Sequence, residues 1–75
     1  MLFRSRDAVR VLSAIERILL LFPDALGERR DRGILYYKLG RWIDARHDLK
    51  QYLRHAPNAD DAASIRQLVD LLDSL

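Results

Sequence analysis

Apolar residues recur along this chain at helical spacing in four blocks, separated by short polar or proline-containing breaks. Ala8, Val11, Leu12, Ile15, Ile18, Leu19 and Phe22 follow one another every three or four residues, which predicts a helix over about Asp7–Phe22 with Ser5 as its N-cap. Val9, Ala14, Leu20 and Leu21 widen this stripe beyond one face, so the helix needs neighbours on more than one side. Pro23 stops it, and Asp24 is placed to cap a second helix over about Ala25–Leu39. Gly33 sits in the middle of that helix, where a missing Cβ signals close approach of a neighbour. Gly40 ends it, and the short Leu39–Gly40–Arg41–Trp42 junction predicts an antiparallel third helix over Trp42–His55.

The third helix has an expected inward set of Trp42 or Ile43, then Ala45, Leu49, Tyr52 and Leu53. Its expected wet face holds Asp44, Arg46, Asp48, Lys50 and Arg54, with like charges at i,i+4 in Asp44/Asp48 and Arg46/Lys50. Pro57 stops this helix, and Asn58 with Asp61 resembles a capping box for a fourth, over about Ala59–Ser74. The stripe Ala62, Ile65, Leu68, Val69, Leu72 and Leu75 makes that last helix one-sided, as suits an element that closes a stack. No strand pattern competes, so the expectation is an all-α chain of four helices folded as one helical domain over residues 1–75.

Composition narrows the chemistry. The 75 residues contain no cysteine, which removes disulfides and thiolate metal sites and suits a cytoplasmic setting. Apolar residues make up 49% and charged residues 32%, too apolar for a disordered chain. The net charge is +2, and no long single-sign run exists. Acidic Asp7 and Glu16 interrupt the apolar start, so neither a secretory signal nor a mitochondrial leader is read there, and the run Ile18–Phe22 is too short to span a bilayer. His47 and His55 are eight residues apart on one helix, about 12 Å by helical rise, too far to share a metal ion. No phosphate loop or nucleophile motif occurs, and Ser13, Ser64 and Ser74 have no evident base. The expectation is therefore no enzyme, no cofactor and no metal site. Nucleic-acid binding is the stronger rival, with Arg4, Arg6 and Arg10 in one basic patch, Arg29, Arg30 and Arg32 in another, and Tyr36, Tyr37 and Trp42 as stacking groups. The plainer expectation is that these aromatics pack and these arginines solvate the surface.

Pro23 and Pro57 lie 34 residues apart, and each follows an apolar helical run. Counted from Leu26, the small, aromatic, small, apolar, aromatic and proline positions of a tetratricopeptide repeat fall on Gly33, Tyr36, Ala45, Leu49, Tyr52 and Pro57. The stretch 26–59 thus resembles one complete repeat. Arg29 and Arg32 stand where tryptophan and leucine are usual. One period earlier, Val11, Ile15, Ile18 and Pro23 match the second helix of a preceding repeat. One period later Ala63 fits, but Gln67 and Asp70 replace the glycine and aromatic, so the last helix reads as a cap.

The runs ERILLLFPD, ERRDRGILYYKLGRW and DLKQYLRHAPNADDAASIRQLV also resemble the C-terminal repeat region of bacterial SirB-type transglutaminase-like proteins, through Pro23, Arg29, Arg30, Asp31, Arg32, Gly33, Gly40, Leu53, Pro57 and Asp61. That resemblance implies a tail that assists a transglutaminase-like domain, whose catalytic cysteine has no counterpart here.

The function these features predict is noncatalytic protein interaction or scaffolding. Arg29, Arg30, Tyr37, Lys38 and Arg66 are candidate lining residues of a groove for an acidic peptide. Val9, Leu12, Ile18, Leu20 and Leu21 are candidates for a seam through which the first helix pairs with a second copy in a homodimer.

Overall fold

The computed structural model describes residues 5–75, with side chains from Arg6 onward. Four helices follow one another: α1 over Ser5–Leu21, α2 over Leu26–Lys38, α3 over Trp42–His55 and α4 over Ala62–Asp73. No strand occurs among the described residues. Each helix packs antiparallel on its neighbour in sequence, and the α2–α3 hairpin has the most extensive contact. The core joins Ala8, Leu12, Ile15 and Leu19 of α1 to Leu35 and Tyr36 of α2, Ala45, Leu49 and Tyr52 of α3, and Ile65, Val69 and Leu72 of α4.

Two glycines build the hairpin. A Cβ on Gly33 would stand 2.8 Å from Cγ and Cδ2 of Leu49 and 3.2 Å from Cβ of Asp48. Leu49 is fully buried and cannot retreat, so the close crossing of α2 and α3 requires glycine. Gly40 has φ +78°, the left-handed conformation that ends a helix. Its N–H donates to the Tyr37 carbonyl at 3.1 Å and the Arg41 N–H donates to the Tyr36 carbonyl at 2.9 Å, the paired bonds of a Schellman turn.

Several local expectations are corrected. The capping role given to Asp24 is not taken up: Ala25 holds the N-cap position of α2, with no side-chain cap bond. Helix α4 begins three residues later than expected, at Ala62, and neither Asn58 nor Asp61 caps it through a side chain. The reason is a competing claim on Asp61, whose carboxylate accepts hydrogen bonds from Tyr52 of α3 and Arg30 of α2. Asp48 belongs to the interior, not the wet face, at 1% exposure. Trp42 and Ile43 do not point inward; Ile43 is 85% exposed. Arg46 and Lys50, alike in charge, both approach the Asp73 carboxylate of α4, at 3.3 and 3.4 Å. The Ser5 cap and the Arg4 part of the basic patch concern side chains outside those described.

Candidate functional site

The arginines of α2 are held by the fold. Arg32 donates two hydrogen bonds to the Asp48 carboxylate, at 2.7 and 2.8 Å, across the α2–α3 interface. This bidentate pair sits where a leucine is usual in the repeat, and its hydrogen bonds hold Arg32 still more firmly protonated despite its partial burial. Arg29 reaches the same carboxylate at 3.9 Å and donates to the Pro23 carbonyl at 3.1 Å. Arg66 of α4 repeats this second contact one unit later, donating to the Pro57 carbonyl at 2.8 Å. Each proline turn is thus tied to the helix that follows it by an arginine. Proline spacing was visible in the sequence, but the arginine contacts were not, because Arg29 and Arg66 occupy different positions in the two units.

Arg30 bridges Asp31 and Asp61, each at 3.0 Å, and lies 5.7 Å from the Tyr52 ring centroid. The Tyr52 hydroxyl donates to Asp61, and this bond, with Arg30 after it, holds the Asp61 carboxyl below its usual range. Tyr36 is buried beneath Arg41, whose guanidinium carbon lies 4.5 Å from its ring centroid, with Arg32 at 5.8 Å. Of the aromatics expected to stack bases, Tyr36 is therefore covered, Tyr37 is half-buried and Trp42 is exposed. Of the expected peptide-groove residues, Arg29, Arg30 and Arg66 are engaged within the chain. Tyr37 and Lys38 border a recess of about 520 Å³ with Gly40, Trp42, Leu71 and Leu75. His47 and His55 are both exposed, and no group of three or more potential ligands able to hold a metal occurs among the described residues.

The outer surface of α1 is different. One heptad-spaced stripe, Ala8, Leu12, Ile15 and Leu19, is buried on α2. A second stripe, Val11, Ala14, Ile18 and Leu21, is exposed along its whole length. Phe22, at 64% exposure, extends it. Ala14 narrows the stripe in the middle. Between this face and α2 runs a groove of about 290 Å³ lined by Val11, Ile15, Ile34 and Leu35, with Asp31 and Lys38 on its rim. Of the residues expected in a self-association seam, Ile18 and Leu21 lie on this face. Leu12 is buried against α2 and outside it. Val9 and Leu20 are exposed on the opposite flank, where Leu20 borders a recess with Glu16, Arg29, Arg32 and Tyr36.

Comparison with known proteins identifies the class. The tetratricopeptide repeat family model matches residues 1–70, and the chain belongs to that family. Over 63 residues it is 40% identical to a protein of Xylella fastidiosa strain 9a5c named UPF0162 protein, and 40% identical to the UPF0162 protein of strain Temecula1. Each match covers 83% of this chain and 22% of the relative, so the chain spans about a fifth of the length of these relatives. No solved structure matches the chain.

Proposed function

We propose that this chain is a noncatalytic protein-interaction module that binds through the outer face of α1. The carrying observation is the exposed stripe Val11, Ala14, Ile18 and Leu21 on a helix whose other stripe is already buried. Apolar side chains at i, i+3, i+7 and i+10 are the anchors by which a helix packs against another helix. The engagement of Arg29, Arg30, Arg32 and Arg66 inside the fold supports reading those arginines as scaffold. No helix among the described residues is long and apolar enough to cross a membrane. The test is titration of a fluorescein-labelled amphipathic helical peptide with a leucine stripe into the protein. Wild type raises its anisotropy and an Ile18→Asp variant with unchanged helicity does not; equal response of the two overturns the reading.

Two finer readings share this surface. Self-association is favoured by the continuity of the stripe, and sedimentation across concentration measures it. The resemblance to transglutaminase-like proteins, with a chain spanning a fifth of its relatives, favours the module serving as the tail of a larger protein. Binding in trans to the remainder of the Xylella fastidiosa relative, lost in Ile18→Asp, tests that reading.

A further inference from the structure

Helix α3 packs on α2 along one side and on α4 along another, so both of its neighbours in sequence are in place. Its outer face is exposed by the fold itself. On that face Arg46, Lys50 and Arg54 stand four residues apart, a row along the helix with a step of about 6 Å. All three are exposed. Arg46 and Lys50 approach the same carboxylate, that of Asp73 on α4, at 3.3 and 3.4 Å. Arg54 has no partner among the described residues. Three cations thus share one carboxylate. Their excess of two positive charges equals the net charge of the whole chain, +2 with histidine counted neutral. Like charges four apart oppose helix formation, and one shared carboxylate offsets only part of that. The arginines of α2 differ, since Arg29, Arg30 and Arg32 each donate to a carboxylate or a carbonyl within the fold.

The chemistry of the row selects its occupant. Three cations over about 12 Å of helix are few for a nucleic-acid duplex, whose proteins commonly contact about 6–10 phosphates. The adjoining positions Ile43, His47 and Gln51 bring no Phe, Tyr or Trp on which the bases of a single strand would stack. A membrane surface needs a broad apolar face beside the cations, and only Ile43, at 85% exposure, supplies apolar surface there. A helix with Asp or Glu at every fourth position has the same step of about 6 Å, so each carboxylate meets one cation when the two helices lie side by side. Ile43, about one turn before Arg46, adds an apolar contact at the end of the row.

We infer that the outer face of α3 docks an acidic helix of a partner protein, with Asp or Glu at i, i+4 and i+8 set against Arg46, Lys50 and Arg54. This surface is separate from the outer face of α1, and either can fail without the other.

The experiment titrates the whole 75-residue chain with a fluorescein-labelled helical peptide carrying Glu at every fourth position, and with its counterpart carrying Gln there. At low salt the Glu peptide is expected to bind about tenfold more tightly, the combined effect of three exposed ion pairs, and the advantage to fade as salt rises. Arg54→Glu removes no contact within the fold and is expected to leave the helical circular dichroism unchanged while removing most of that advantage. A peptide with Lys in place of one terminal Glu is expected to regain binding to this variant. Ile18→Asp is expected to leave the advantage intact, which separates this site from α1. Equal binding of the Glu and Gln peptides overturns the proposal, as does an advantage that Arg54→Glu leaves unchanged. A duplex oligonucleotide or a phosphatidylserine vesicle that binds more tightly than the Glu peptide, and loses binding in Arg54→Glu, also overturns it and assigns the row to that surface.

Discussion

The α2–α3 hairpin and the outer half of α1 use arginine and aliphatic residues in opposite ways. In the hairpin, Arg32 is clamped by Asp48 and Leu49 is fully buried beneath Gly33. On α1, Arg10 and Arg17 have no acidic partner among the described residues, and Ile18 and Leu21 face solvent. Both regions have mixed composition and helical spacing. What separates them is whether each side chain has a complement within the fold. In the first region the fold supplies the complement of each side chain; on the outer face of α1 the described residues supply none.

The sharpest way to break the hairpin is Asp48→Ala, which leaves Arg32 partly buried without its carboxylate. It is expected to cost about 2–3 kcal/mol, the lower end reflecting solvent access to Arg32, and to lower the urea midpoint correspondingly. Replacing both partners, Arg32→Leu with Asp48→Leu, is expected to recover most of that loss, because leucine is usual at the first position and an apolar pair leaves no charge behind. Failure of the double variant to recover would show that the pair specifies the hairpin geometry rather than substituting for apolar packing.

Gly33→Ala is the next largest change. Its methyl group must displace Leu49, and a net loss of about 1–2 kcal/mol is expected in denaturant unfolding, despite alanine's better helix propensity. Gly40→Ala forces a side chain into positive φ, for an expected loss of about 1 kcal/mol.

A smaller effect depends on pH. Folding lowers the Asp61 carboxyl through its bonds to Tyr52 and Arg30, so its contribution to stability is fully present above the unfolded carboxylate value, about 3.9. That contribution is lost as pH falls through the lower folded value. Asp61→Asn is expected to flatten the acid limb of a thermal-midpoint profile below that pH while leaving its shape at neutral pH unchanged. The smallest stability effects belong to α1: Arg10→Ala and Arg17→Ala are expected to change unfolding free energy by less than about 0.5 kcal/mol. A larger loss would mean that the fold uses these arginines and would erase the contrast with α2.

Much of the framework was legible in the residues themselves. Trp42–His55 was bounded correctly because Gly40 and Pro57 punctuate it, and Ala45, Leu49 and Tyr52 were correctly turned inward by their spacing. Asp48 was not, because a carboxylate between Arg46 and Lys50 looks like surface until its partner, 16 residues earlier, is folded against it. The start of α4 is hidden in the sequence for a related reason. Asp61 has the local credentials of a helix-start acid, but side chains from two other helices hold its carboxylate. For the candidate site, the excess apolar width of α1 was visible, but not which stripe α2 covers. Ala8, Leu12, Ile15 and Leu19 compete with Val11, Ala14, Ile18 and Leu21 on equal periodic terms, and only tertiary packing separates them.

The serial packing of the helices, each on its neighbour in sequence, has a consequence for how the molecule opens. Among the described residues α1 packs on α2 alone, so α1 is expected to open before the hairpin and α4 unfold. Amide protons of α1 should therefore exchange with solvent by local opening, ahead of those in α2 and α3. A helix seated on α1 would slow that exchange first, so protection along Asp7–Leu21 would report occupancy before any change in global stability.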